Sequence, residues 1–247
     1  MSGNNPLTGA LYLLRGLSYL PKPGIRAFVL IPLLINLFLF AGAIYLLISN
    51  FSAWVQYLID LWLPDWEWLR FLEYLLWPVL AVLVVVGVYY GFSMVANFVA
   101  APFNGILAEK VEQQLRGQVN SNLDTWQSAV KMIPQALARE LAKLAYYLPR
   151  LLVLLVLSFI PLVNLAMPFV WFAFAAWMMA IQYCDYPMDN NKVSFAQMRL
   201  LLAQRRWSAF GFGSLVQLGM LIPLLNLILM PAAVIGATLF WVEQYKS

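Results

Sequence analysis

The chain has 247 residues, of which 63% are hydrophobic and only 11% charged, with a formal net charge of +4. Soluble domains carry about 25% charged residues, so this composition places the chain in a membrane. It holds no histidine and one cysteine, Cys184, which excludes serine–histidine triads, histidine-based metal or haem sites and intrachain disulfides. No GxxxxGK[ST] or GxGxxG run is present, so no nucleotide, other cofactor or metal is expected. The modest positive charge reads as membrane topology rather than nucleic-acid affinity.

Asn5-Pro6 has the form of an N-cap followed by proline at the first helical position. Leu7, Leu11, Leu14 and Leu17 then share one face, with Arg15 and Lys22 nearby and no acid before Asp60. Residues 1–26 therefore read as a basic amphipathic interfacial helix closed by the turn Pro21-Lys22-Pro23-Gly24. Residues 27–48 are uncharged and of conventional spanning length, so they predict the first transmembrane helix. Residues 49–73 hold four acids and one base, Arg70, with Trp54, Trp62, Trp66 and Trp68 suited to a membrane–water boundary; they read as an outside loop. Within it Phe51, Trp54, Val55, Leu58, Ile59 and Trp62 have helical spacing.

Residues 74–116 predict a second long transmembrane helix with a cytoplasmic extension, kinked at Pro102. Residues 117–150 form a cytoplasmic segment whose second half, with Leu137, Leu141, Leu144 and Leu148, is amphipathic. Two further uncharged runs follow, 151–184 and 207–242, separated by a cytoplasmic helical segment, 185–206, with a capping box at Ser194–Gln197. Ile160-Pro-Leu-Val-Asn-Leu165 recurs as Ile222-Pro-Leu-Leu-Asn-Leu227, each followed by Met-Pro, and more loosely as Ile31-Pro-Leu-Leu-Ile-Asn-Leu37. Proline at mid-run disfavours one continuous helix, so each C-terminal run predicts a re-entrant hairpin with arms of about 15 residues, or ~22 Å. Such arms fall short of a ~30 Å hydrocarbon core. With the N-terminus inside, 14 of the 15 bases lie on that side, in keeping with the positive-inside tendency. The fold class expected is thus a single all-α integral membrane domain with two long transmembrane helices, two half-inserted helical hairpins and amphipathic interfacial or cytoplasmic helices.

Gly24-Ile25-Arg26 follows the proline turn and opens the first span. A helix N-terminus offers free N–H groups and partial positive charge to an anion, and arginine adds a planar fork for oxyanions. The same Lys22 and Arg26 also read as ordinary positive-inside anchors. Asn36, Asn97, Asn104, Asn164 and Asn226 lie within the apolar runs; amides there either line an anion pathway or cap and bond broken helices. Glu109 and Asp185 are the acids abutting the apolar runs on the inside face. They read as salt-bridged or interfacial groups, or as carriers of a proton.

These features come together in one family. Pro23-Gly-Ile-Arg26, Asn97-Phe-Val-Ala-Ala-Pro-Phe-Asn-Gly105 with Leu107-Ala-Glu109, Tyr147-Leu-Pro-Arg150, Ile181-Gln-Tyr-Cys-Asp-Tyr-Pro187 and Ile222-Pro-Leu-Leu-Asn-Leu227 resemble the CysZ sulfate-permease family of bacterial inner membranes, over nearly the whole length. The resemblance implies sulfate uptake across the inner membrane to supply cysteine synthesis, with proton dependence, and assembly into homo-oligomers in the lipid bilayer. It implies sulfate binding at Gly24, Ile25 and Arg26, with related oxyanions such as sulfite as further ligands. Members often carry a second arginine where this chain has Ala27, which makes Lys22 its substitute. No enzymatic role and no nucleic-acid partner are expected; the alternative to transport is a membrane scaffold or assembly protein.

Overall fold

The computed structural model describes residues 3–22, 25–62, 70–117 and 125–245; within the second, third, fourth and last helices some side chains lie outside the described set. The described elements are α1 (Pro6–Tyr19), α2 (Arg26–Trp62), α3 (Arg70–Leu115), α4 (Thr125–Ser158), a 3-10 turn (Val163–Leu165), α5 (Met167–Asn190), α6 (Phe195–Gln204), α7 (Arg206–Met220) and α8 (Pro223–Tyr245). The class is all-helical, as the sequence predicts. Among the described residues, four segments are long and apolar enough to cross a membrane: Leu37–Leu61, Pro134–Ser158, Met167–Asn190 and Ile228–Tyr245. The chain forms two compact units, residues 32–100 and residues 1–31 with 101–247.

In the smaller unit, α2 continues to Trp62 and has 37 residues. The helical spacing of Phe51 to Trp62 therefore belongs to the first long helix, and the loop expected at 49–73 does not begin at 49. Val55, Ile59 and Val84 form a buried cluster in this unit, with Phe51 and Trp77 edge-to-face at 5.7 Å. Leu37, Phe38, Ile44, Ile48, Val82 and Leu83 stay exposed, which lipid tolerates because its tails are as apolar as leucine. Helix α3 has 46 residues and is continuous through Pro102; the division between the two units falls beside that proline, between Ala100 and Ala101.

In the larger unit the polar segment and the first apolar arm form one helix, α4, with Pro134 and Pro149 inside it. The break expected between Ile160 and Pro168 is present. Leu162 takes φ 71°, the 3-10 turn follows, and α5 opens with Pro168 in its first turn. Trp171 Nε1 donates to Ser158 Oγ at 3.1 Å, fastening the two arms near the tip, while Tyr147 stacks on Phe174 lower down. Helix α5 is longer than the arm the sequence predicts: 24 residues, running through Asp185 and Pro187 to Asn190. Its last turns are held by Asn191, whose Nδ2 donates to the Pro187 carbonyl at 2.8 Å. Helix α6 starts at the expected capping box, with Ser194 and Gln197 bonding each other's backbone reciprocally.

The second apolar run departs from its copy. Only Pro223 marks a break, standing at the start of α8, whereas Pro231 lies inside that 23-residue helix. Proline at a first helical position loses no hydrogen bond, which explains why the bend sits there.

Helices α1, α5, α7 and α8 meet through glycines. A Cβ on Gly9 would lie 1.8 Å from the Ser208 carbonyl oxygen, one on Gly16 2.1 Å from that of Ala232, and one on Gly213 1.8 Å from that of Ala176. Backbones this close gain dispersion contacts, the main attraction between helices in lipid. Helix α1 thus buries Thr8, Gly9, Tyr12, Leu13 and Gly16, and leaves the predicted leucine face, Leu7, Leu11 and Leu14, exposed. Asn4 Oδ1 accepts the Trp207 and Ser208 N–H groups at 3.1 and 3.2 Å, capping α7, whose own Arg205 gives no side-chain cap. At the other end of α1, Arg15 Nη1 donates to Glu243 Oε2 at 2.9 Å, a bond that pushes the Arg15 guanidinium above its ordinary pKa.

Gly213→Ala should lower stability by roughly 1–3 kcal/mol, the usual cost of overpacking a filled interior. Gly42→Ala has open space around it and should be neutral or gain up to about 1 kcal/mol of helix propensity. Thermal unfolding of both variants in detergent checks this; equal melting would show that the close approach is dispensable.

Candidate functional site

Two places bring chemistry-bearing side chains together in the larger unit. The first is the turn between α1 and α2. The Lys22 N–H donates to the Tyr19 carbonyl at 3.1 Å and the Ile25 N–H to the Lys22 carbonyl at 3.2 Å. The Lys22 ammonium lies 3.2 Å from the centroid of the Tyr19 ring. Ile25 is fully buried, which pins the turn, and Arg26 follows as an exposed residue at the start of α2. Gly24 lies outside the described residues. A helix start leaves its first N–H groups without intrahelical partners, so an anion at Arg26 meets donors there. The Ile25 N–H itself is already engaged, and an anion would compete with the Lys22 carbonyl for it.

The second place is a buried charge network on α3, α4 and α5. Asp185 is 1% exposed and pairs with Arg139 at 2.7 Å and with Lys143 at 3.6 Å. Lys143 also reaches Glu140 at 2.6 Å, and Arg139 reaches Asp189 at 3.3 Å. Gln182 donates to the Tyr186 hydroxyl at 2.9 Å, and that hydroxyl donates to Glu140 at 3.4 Å. From α3, Asn104 bonds the Tyr186 side chain, and the Gly105 carbonyl accepts from Asn190 at 2.7 Å. Pro102, Gly105, Arg139, Asp185 and Tyr186 line a cavity of about 20 Å³ between the three helices, room for about one water. Beside it a polar groove of about 410 Å³ is bordered by Glu109, Glu112, Gln113, Arg116 and Lys192.

Burying a carboxylate is tolerable only when it is paired and hydrogen-bonded. The spacing meets that need. Arg139 and Lys143 are one turn apart on α4, as are Asp185 and Asp189 on α5, so the two helices face each other with matched opposite charges.

Of the residues singled out in the sequence, Asn104 and Asp185 belong to this network, and Glu109, which accepts from Gln113 at 3.2 Å, borders the adjoining groove. Asn164 is exposed at the tip of the α4–α5 hairpin. Asn36, Asn97 and Asn226 lie on α2, α3 and α8, and their side chains are outside the described set. Arg139, Glu140, Lys143 and Asp189 went unnoticed in the sequence. The signal that finds them is the pair of opposite-sign i,i+4 spacings, Arg139/Lys143 against Asp185/Asp189.

Arg139→Gln leaves Asp185 and Asp189 short of a partner in a buried site. Breaking a buried pair costs about 3–5 kcal/mol, so this variant should melt well below the parent. Restoring neutrality with Arg139→Gln/Asp185→Asn should recover part of the loss, and a double-mutant cycle on thermal stability in detergent measures the coupling. Additive losses would mean that the pair is not coupled.

Comparison with known proteins bears on both places. Residues 12–231 match the family model described as "Sulfate transporter CysZ/Etoposide-induced protein 2.4". A protein of Pseudomonas fluorescens (strain Pf0-1) named "Sulfate transporter CysZ" is 52% identical over 238 residues, covering 96% of this chain and 94% of that one. Relatives of the same name from Pseudomonas paraeruginosa (strain DSM 24068 / PA7) and Pseudomonas syringae pv. tomato (strain ATCC BAA-871 / DC3000) are 51% and 49% identical. Each is matched over 96% of this chain, and over 96% and 93% of its own length respectively.

Proposed function

We infer that this chain, which belongs to the sulfate transporter CysZ/etoposide-induced protein 2.4 family, is a multi-pass membrane protein that carries sulfate across a bacterial inner membrane to supply cysteine synthesis. The observation that supports this most is identity of about half the residues with proteins named sulfate transporter, over nearly the full length of both chains. The fold agrees with transport rather than enzyme chemistry: long apolar helices, and polar groups gathered as amides, tyrosines and ion pairs rather than as a nucleophile with its base.

Sulfate is held first at the α1–α2 turn. Arg26 supplies the planar fork, Lys22 adds field, and the start of α2 supplies backbone donors around Gly24 and Ile25. Sulfite, a smaller oxyanion of similar charge, falls in the same class of ligand. The amides Asn36, Asn97, Asn104, Asn164 and Asn226 are the pathway groups that can pass a dianion without trapping it. Of the two acids available for coupling to a proton, Asp185 is tied to Arg139 and Lys143, whereas Glu109 borders the polar groove and is the better placed. The working form is a homo-oligomer.

Sulfate flux into proteoliposomes tests the function directly, and absence of flux would leave a scaffold as the remaining role. Arg26→Ala should weaken sulfate binding by roughly one to two orders of magnitude, since charge-assisted hydrogen bonds contribute about 1.5–3 kcal/mol each and 1.4 kcal/mol is about tenfold. Arg26→Lys should recover only part, because lysine keeps the charge and loses the fork. Calorimetry on the three proteins gives the answer; wild-type affinity in Arg26→Ala would make Arg26 a topology anchor.

The bases also support a topology in which both termini, 117–150 and 185–206 share the cytoplasmic side, with the hairpins at 151–184 and 207–242 only half inserted. Cysteines placed at positions 125 and 190 on a Cys184→Ser background should label from the same side. Labelling from opposite sides would make the first hairpin a full crossing.

A further inference from the structure

Two arginines on the α4–α6 face have no acidic partner among the described residues and share one aromatic ring. The Arg150 guanidinium lies 3.6 Å from the Tyr146 ring centroid and that of Arg199 lies 4.7 Å from it. Arg150 Nη1 donates to the Tyr146 carbonyl at 2.8 Å, and Arg199 also stands 5.1 Å from the Phe195 ring. The Arg199 Nε is buried with no hydrogen-bond partner among the described residues. No described carboxylate lies within ion-pair distance of either arginine, whereas Arg15, Arg116, Arg139 and Lys143 each have one. Two cations held against one ring, fixed by stacking and a carbonyl and with no described carboxylate to neutralise them, form a receptor for an anion.

Below Arg150 the surface turns apolar. Arg150 stands at one edge of a groove of about 570 Å³ between α4 and α5, lined by Pro149, Val153, Leu154, Val170, Ala173 and Phe174. Both walls belong to segments apolar enough to cross a membrane, Pro134–Ser158 and Met167–Asn190. The arginine edge lies where the uncharged run beginning at Leu151 starts, the depth at which headgroups give way to acyl chains. A free oxyanion would satisfy the arginines and leave the groove empty; a zwitterionic lipid would fill the groove and oppose its own cation to the arginines. One ligand class meets both parts.

We propose that Arg150 and Arg199 bind the phosphate of an anionic phospholipid whose acyl chain lies in the α4–α5 groove. This site is separate from the α1–α2 turn and does not depend on the transport reading. Its consequence is mechanical: the lipid bridges α6 and the α4–α5 hairpin, and so stabilises the body that holds the buried charge network.

The test uses the full-length protein, purified in neutral detergent and stripped of lipid, with phosphatidylglycerol and phosphatidylcholine titrated against it. Native mass spectrometry counts bound lipid, and thermal unfolding reads its effect. Phosphatidylglycerol should bind more tightly than phosphatidylcholine and raise the melting temperature more. A basic residue near a membrane surface contributes about fivefold in affinity for an anionic lipid, so Arg150→Gln and Arg199→Gln should each remove about that much of the preference. The double variant should bind the two lipids alike. Val170→Trp, which fills the groove, should weaken both lipids and keep the arginines, so a poorly folding arginine variant does not decide the matter alone.

Equal binding of the two lipids by the parent, or an undiminished preference in the double variant, would overturn the proposal. Full competition by millimolar inorganic phosphate or sulfate would make this a free-oxyanion site instead. Loss of dimer mass in the arginine variants, with no effect on lipid, would assign the face to a second copy of the chain.

Discussion

Asp185 sits almost fully buried on α5, in a segment apolar enough to cross a membrane, and much of the larger unit follows from what it takes to keep a charge there. An isolated carboxylate at such a place costs several kcal/mol after every relaxation the protein can make. Arg139 and Lys143 remove that cost only if α4 lies antiparallel to α5 in one register, because the guanidinium and ammonium are one turn apart and must both face the same carboxylate. That register in turn sets Glu140 against Tyr186 and Gln182, and brings Asn190 and Asn191 onto the Gly105 carbonyl and the Glu112 carboxylate of α3. A slide of one turn would leave charges unpaired on both helices. The network is therefore a registry device, and its net contribution to stability over a well-packed apolar alternative need not be large.

The other half of the larger unit is organised mainly by close backbone packing, with one ion pair, Arg15–Glu243, at the end of α1. Between helices in lipid there is no hydrophobic driving force, so association depends on how closely backbones approach. Gly9, Gly16 and Gly213 provide that approach for α1, α7, α8 and α5, and Asn4 and Glu243 tie the two ends of α1 to α7 and α8. Helix α1 serves two environments. One face is buried in close contact with α7 and α8, while Leu7, Leu11 and Leu14 remain exposed, as a face for lipid would be. The turn that follows, with Ile25 buried beneath it, is thus mounted on a rigid support. A site on a rigid element holds its donors in place before the ligand arrives, which lowers the ordering cost of binding.

What the sequence revealed, and what it hid, follows from the range of the signals. Local signals read well: the Asn5-Pro6 start, the Ser194–Gln197 capping box and the break between Ile160 and Pro168 all depend on a few adjacent residues. Pairing across helices read poorly. Nothing near Arg139 in sequence shows that Asp185 faces it, and only a comparison of i,i+4 charge spacings on two distant segments would have done so. The second Ile-Pro repeat misled for another reason: the same dipeptide can end a helix or begin one, and at Pro223 it begins one, so Pro231 passes inside α8. The loop expected at 49–73 was placed by its acids and tryptophans, yet these suit the exposed side of a helix as well as a loop, and α2 carries the pattern on to Trp62. At the candidate site, the motif residues of α3 and α5 were legible as a set; that they converge on α4 was not.

The same two environments bear on how an anion could be held and let go at the α1–α2 turn. A dianion gains most from donors that are buried and unpaired, but a transporter must also release it, so binding has to be favourable to enter and weak enough to leave. Arg26 is exposed, Lys22 lies against Tyr19, and the Ile25 N–H already has the Lys22 carbonyl as partner. Each donor would therefore surrender an existing contact or hydration to a sulfate bound there. Only the difference between the old contact and the new one remains as affinity, which is the condition for a ligand that must move on. The buried network on α4 and α5 shows the opposite arrangement: its cations are already ion-paired with Asp185, Glu140 and Asp189, and sulfate would have to displace carboxylates held at 2.6 to 3.6 Å. Charge in this protein is thus divided between a place where it fixes helices and a place where it remains available to an anion from water.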